Sequence, residues 1–191
     1  MAKLTTLVAV ICAGMIMPVL AANYKIDPIH TNARFTLDHF ATSSNVGGFY
    51  NLNGEVQYDA SAKTGFVDIS IPLTLLNTGR KMFDEHLLGK DFFNVGKYPT
   101  LRFVSKQWVF SKNGKVRAIL GQLTMLGQTK PVKLKANKFN CYHNAMTSSE
   151  VCGGDFEGII DRSEWGLNHF LTEIPASRFV KLNIQVEAVK Q

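Results

Sequence analysis

The sequence is poor in the residues that most enzyme and metal signatures require. Its 191 residues hold three cysteines and five histidines. No two histidines stand at a His-x-x-x-His spacing, no His-x-Glu occurs, and no Cys-x-x-Cys pair exists for redox exchange. A Gly-x-Ser-x-Gly elbow and an oxyanion-hole glycine run are missing as well. Asp84, His86 and scattered Ser or Thr residues therefore assemble no recognisable hydrolytic triad, and neither catalysis nor a resident metal is expected. Dense basic blocks are also lacking. Lys130, Lys133, Lys135 and Lys138 come nearest to a run, and their spacing suits the wet face of a strand better than a nucleic-acid patch. The formal charge of +6 is otherwise diffuse, compatible with anionic lipid surfaces or phosphate groups.

What is present begins with an export signal. Lys3 gives a short positive start, Leu4 to Leu20 is almost wholly apolar, and Val19-Leu20-Ala21-Ala22 supplies small residues for cleavage. The run is short for a membrane anchor, contains Gly14 and Pro18, and lacks a stop-transfer flank. Bulky Ile11 before Cys12 argues against lipidation. Residues 1–22 are expected to be a cleaved signal peptide, and residues 23–191 a single exported domain with no linker, repeat or low-complexity division. Two cysteines then remain, Cys141 and Cys152. In an oxidising compartment they read as a disulfide at the base of a polar hairpin loop.

Period-2 alternation dominates the rest. Val180, Leu182, Ile184, Val186 and Ala188 alternate with Lys181, Asn183, Gln185 and Glu187, giving one dry and one wet face. Ala33, Phe35 and Leu37 form a second set, Tyr50, Leu52, Gly54, Val56 and Tyr58 a third, and Val67, Ile69 and Ile71 a fourth. Further strands are expected at Thr100–Ser105, Gln107–Phe110, Val116–Met125, Lys130–Asn140 and Asp155–Arg162. Lys112-Asn113-Gly114-Lys115 carries the Asn-Gly pair of a type I′ hairpin turn, and Leu126-Gly127-Gln128-Thr129 is a second reversal. Helix signals are few, one short helix within Asn77–Leu88 and a turn near Ser163–Leu171. The pattern predicts an all-β fold, an antiparallel barrel of about eight strands with one or two short helices, because closure removes exposed edges. A sandwich is the alternative.

Between two alternating segments lies His86-Leu87-Leu88-Gly89-Lys90-Asp91-Phe92-Phe93-Asn94-Val95-Gly96-Lys97-Tyr98-Pro99-Thr100-Leu101-Arg102-Phe103. A connection this apolar must pack on the core or cover a cavity. The block resembles the signature of the YceI-like, polyisoprenoid-binding family of periplasmic proteins. Asp27-x-x-His30, Phe35-x-x-x-His39, Gly121-x-Leu123-Thr124-x-x-Gly127-x-Thr129-x-Pro131-Val132 and Phe156-x-Gly158-x-Ile160-x-Arg162-Ser163-x-Trp165-Gly166 extend the resemblance over essentially the whole mature chain.

The resemblance implies a lipocalin-like barrel in the periplasm whose tunnel holds a polyisoprenoid lipid, either an isoprenoid quinone such as ubiquinone or a polyprenyl phosphate. The absence of a phosphate-cradling motif favours a quinone or polyprenol type. On this reading the tunnel and its mouth involve Phe35, Leu37, His39, Tyr50, Leu52, Val67, Ile69, Phe83, Phe92, Phe93, Phe103, Phe156, Leu182 and Ile184. No catalytic cofactor is implied. The expected partners are the lipid itself, a membrane surface touched transiently and a second copy in a homodimer. From the residues alone a filled core reads almost the same as a hollow one, and an exported interaction module without a lipid stays open. His86 is expected to hydrogen-bond a backbone group, Asp27 with His30 to fix a turn, and Asp161 with Arg162 to form a strand-end ion pair.

Overall fold

A computed structural model describes residues 21–191, so residues 1–20 of the expected signal peptide lie outside the described residues. The described residues form eleven strands: β1 (Ala22–Ile26), β2 (Asn32–His39), β3 (Ser43–Tyr50), β4 (Gly54–Asp59), β5 (Thr64–Pro72), β6 (Leu76–Asn77), β7 (Thr100–Phe110), β8 (Val116–Met125), β9 (Gln128–Asn144), β10 (Ser149–Asp161) and β11 (Phe179–Lys190). They make eight staves. β1 and β2 both run along β11, β1 through Ile26↔Ala188 and β2 through Leu182↔Phe35. β3 and β4 in turn pair with β2 and β1, and β5 with β6 completes the third stave. β7 to β11 follow as successive antiparallel neighbours. Each stave thus pairs with the next in sequence and the last returns to the first. This is a closed antiparallel up-and-down barrel, which leaves no long open edge.

Two departures from the expected strands change which residues face inward. The set running from Tyr50 to Tyr58 is not one strand. Asn51 takes a positive φ of 57°, and the chain breaks at Asn51–Asn53 before β4 begins. Phe49 is buried while Tyr50 is 40% exposed on the outer wall. Conversely, Thr100–Ser105 and Gln107–Phe110 are one strand, β7, whose register against β8 slips between Val104 and Gln107. Ser105 is buried at this bulge, and its hydroxyl donates to the Leu120 carbonyl at 2.5 Å.

The type I′ turn is not where the sequence suggests. In the Ser111–Lys115 turn only Gly114 has positive φ, and its N–H donates to the Ser111 carbonyl. That is a type I turn followed by a left-handed glycine, not type I′. At the β8–β9 reversal both Leu126 (φ 51°) and Gly127 (φ 73°) are left-handed, between the paired Met125 and Gln128. The type I′ turn is there.

Helix is confined mainly to one end, called here the upper end. α1 (Lys81–Leu88) lies across it, with a 3-10 turn at Leu73–Leu75 before it. The Asp84 carboxylate accepts from the Thr78 N–H at 2.7 Å and ties the start of α1 to β6. The β10–β11 connection contains 3-10 turns at Arg162–Trp165 and Pro175–Arg178. Trp165, 1% exposed, donates from its indole N–H to the Leu123 carbonyl at 3.0 Å and pins this connection to β8. Burying a side chain of that size contributes roughly 2–3 kcal/mol. At the lower end the Cys141–Cys152 disulfide joins directly opposed residues of β9 and β10. It staples the base of the hairpin loop as the sequence suggests.

Candidate functional site

Strand alternation sends one face of every stave to the barrel axis, and the inward residues do not fill it. Three apolar cavities succeed one another between the ends. The upper one, about 120 Å³, is walled by Phe35, Leu37, Phe49, Leu87, Phe92 and Phe93 among others. The middle one, about 110 Å³, shares Phe35, Phe49, Leu101, Leu123 and Leu182 with it. The lower one, about 70 Å³, shares Ile69, Phe103, Leu134, Ile184 and Val186 with the middle. Shared walls make them successive compartments of one channel.

Of the residues expected at the channel, Phe35, Leu37, Phe92, Phe93 and Leu182 border the upper compartment. Leu52 borders the middle one, and Val67, Ile69, Phe103, Phe156 and Ile184 border the lower. Three do not face the channel. Tyr50 points outward because of the break after β3. His39 is exposed at the tip of the β2–β3 hairpin, edge-on to Phe40 at 4.9 Å. Phe83 packs on the core from α1, under the Arg80 guanidinium at 4.7 Å.

The wall also includes residues that the sequence pattern does not indicate. Phe49 was hidden by the wrong strand parity. Trp108, Phe139 and Tyr58 form an aromatic wall at the lower end: Tyr58 stacks on Trp108 at 5.8 Å, and Phe139 stands edge-on to both. Three glycines seat channel rings. A Cβ at Gly47 would land on the Phe35 ring, one at Gly65 on Trp108 and one at Gly121 on Phe103.

The polar groups nearby mostly hold structure. Arg162, 5% exposed, borders the upper compartment. Its guanidinium donates to the carbonyls of Ser177 (2.9 Å), Leu167 (2.8 Å) and His169 (2.8 Å) and to the Ser177 hydroxyl (2.9 Å). Burial holds its pKa below the usual arginine value, with Asp161 pulling the other way. The expected Asp161–Arg162 contact is not made: Asp161 binds Arg178 at 2.7 Å and the Ser163 hydroxyl. The His86 ring makes no hydrogen bond among the described residues and instead packs against Phe83, Phe92, His169 and Phe170. The Asp27 carboxylate does fix its turn, accepting from the Ile29 N–H at 2.9 Å and pairing with His30 at 2.7 Å. Among the described residues no cluster of three or more His, Cys, Asp or Glu side chains could hold a metal ion.

A family model for the YceI-like domain matches residues 24–188. The chain belongs to the YceI-like family. It is 33% identical to the protein YceI of Escherichia coli over 175 residues, covering 90% of this chain and 89% of that one. A crystal structure of a Campylobacter jejuni YceI protein superposes with a TM-score of 0.69 at 26% identity, covering 81% of this chain and 90% of that one. A polyisoprenoid-binding domain from Saccharophagus degradans shares the fold, with a TM-score of 0.63 at 11% identity over 90% of this chain and 99% of that one.

Proposed function

We propose that this protein is a non-catalytic carrier or store for a long isoprenoid lipid, exported to the periplasm and loaded by transient contact with a membrane. The observation that carries the reading is the row of three predominantly apolar compartments along the barrel axis, with walls in common. The fold neighbour named for polyisoprenoid binding supports it, as does a disulfide suited to an oxidising compartment.

Each CH₂-like group exposed to water costs about 0.8 kcal/mol, so a bare tail of several tens of carbons would cost on the order of 20–30 kcal/mol in an aqueous gap. An apolar channel removes that cost. Because it competes with the bilayer rather than with water, loading and release remain reversible. The lipid lies along Phe35, Leu37, Leu52, Ile69, Phe92, Phe93, Phe103, Leu182 and Ile184, with α1 and the Phe92–Phe93 segment over the upper end. Its head is of quinone or polyprenol type.

Organic extraction of the protein purified from its native compartment, followed by mass spectrometry, tests this. An isoprenoid at near one per barrel is expected. A lipid-free extract, together with failure of the protein to take up an added polyprenol from vesicles, would refute the carrier and favour an exported interaction module.

A further inference from the structure

The lower compartment contains one group that the hydrocarbon reading does not use. The Trp108 Nε1–H is buried and has no hydrogen-bond partner among the described residues. Buried indole N–H groups normally find an acceptor, as Trp165 does in the Leu123 carbonyl. Trp108 borders the lower compartment, its ring seated over Gly65 and stacked on Tyr58. The neighbouring Tyr24 hydroxyl is committed, donating to the Glu150 carboxylate at 2.6 Å. Phe139 and Phe156 complete an aromatic surround.

We propose that the lower compartment is a subsite for a neutral oxygen acceptor on the lipid, a carbonyl of ketone or quinone type, bound through Trp108 Nε1–H. The lipid then lies with its oxygenated end innermost and its hydrocarbon running up toward α1. This deepens the carrier reading and rests on it. The chemistry of the walls sets the class. No lysine or arginine borders this compartment, so a phosphate there would be a buried anion without a counter-charge. A carbonyl oxygen asks only for a donor, and its flat conjugated neighbours match the faces of Tyr58 and Trp108. The small volume also favours a compact terminal group over a branched polar head.

The test uses two probes of equal chain length, an all-trans polyprenyl ketone and the corresponding hydrocarbon. In the wild-type protein the ketone should shift the Trp108 indole ¹H–¹⁵N resonance and slow its exchange, and the hydrocarbon should do neither. Trp108→Phe keeps a ring but removes the donor. It should weaken ketone binding about three- to tenfold and leave hydrocarbon binding nearly unchanged. If both probes bind equally well and the indole resonance ignores both, the subsite is wrong while the carrier stands. If neither probe binds, the carrier reading itself fails.

Discussion

Replacing Arg162 by methionine tests how the upper end is held shut. The stem is kept and the guanidinium removed, so four acceptor contacts vanish at once, at Ser177 O and Oγ, Leu167 O and His169 O. Hydrogen bonds to a charged donor contribute about 1.5–3 kcal/mol each, but the buried cation also costs desolvation that methionine does not. Breaking such a network nets a loss of roughly 3–5 kcal/mol. For a barrel of this size that lowers Tm by about 6–20 °C. The loss is local first, because opening the Leu167–Arg178 connection lets its carbonyls reach water. Calorimetry should show the lower Tm, and hydrogen exchange should speed up at amides 166–178 before it does in β7 to β9. Because Arg162 and Leu167 border the upper compartment, a bound lipid should also leave faster. A variant with unchanged Tm and unchanged exchange would show that the four contacts are incidental to the cap.

Three further outcomes follow from particular contacts. Serine at both Cys141 and Cys152 removes a crosslink between residues 11 apart and should cost about 3 kcal/mol in denaturant titrations; a reductant-insensitive wild type would contradict this. The Asp27–His30 pair raises the His30 pKa and lowers that of Asp27, in each case chiefly through their mutual hydrogen bond. The His30 contribution is complete below its unfolded value of 6.5 and fades as pH climbs through the raised folded value. That of Asp27 is complete above its unfolded 3.8 and fades as pH falls through the lowered one. His30→Ala should therefore destabilise near pH 5 and not near pH 9, and by under about 1 kcal/mol because the pair is solvent-screened; equal effects at both pH values would sink the assignment. At Gly158 a Cβ would sit 3.0 Å from the Lys133 carbonyl and 3.1 Å from Leu134 Cδ2. Gly158→Phe should thus obstruct the middle of the channel at a stability cost of about 1–3 kcal/mol, read as lipid recovered per folded protein.

The barrel was legible wherever one strand face is wet and the other dry. Along β11, Lys181, Asn183, Gln185 and Glu187 mark the outside unambiguously, and the channel residues Leu182 and Ile184 follow. Legibility failed where both parities are apolar or where a break resets the count. Phe49 and Tyr50 are adjacent aromatics, and only the left-handed turn at Asn51 decides that Phe49 points inward. Trp108, Val109 and Phe110 are three apolar residues in a row, and the upstream bulge in β7 determines which of them meets the channel. Arg162 stands in the family motif, but its partners are not legible, because they are mainly backbone carbonyls, which every residue possesses. Asp161, next in the chain, looked like the natural counter-ion and is engaged elsewhere.

A small inward residue does not by itself make the barrel hollow; what matters is where the neighbouring ring goes. Gly47, Gly65 and Gly121 each face an aromatic side chain from the adjoining stave. With no Cβ in the way, Phe35, Trp108 and Phe103 can lie back against the wall instead of reaching toward the axis. Phe103 borders both the middle and lower compartments, so Gly121 governs the passage between them. Alanine there would place its Cβ 2.6 Å from Phe103 Cε2 and 2.7 Å from the Val104 carbonyl, closer than such atoms approach. The ring must swing inward, narrowing the passage, at about 1–3 kcal/mol in stability. Gly121→Ala should therefore lose lipid out of proportion to its loss of folded protein. Adding Phe103→Leu should restore part of the uptake, because the shorter side chain relieves the ring contact while the Val104 carbonyl contact remains. If the single variant carries as much lipid as wild type, or if the second change restores nothing, the seated rings do not set the bore and the channel is shaped by something else.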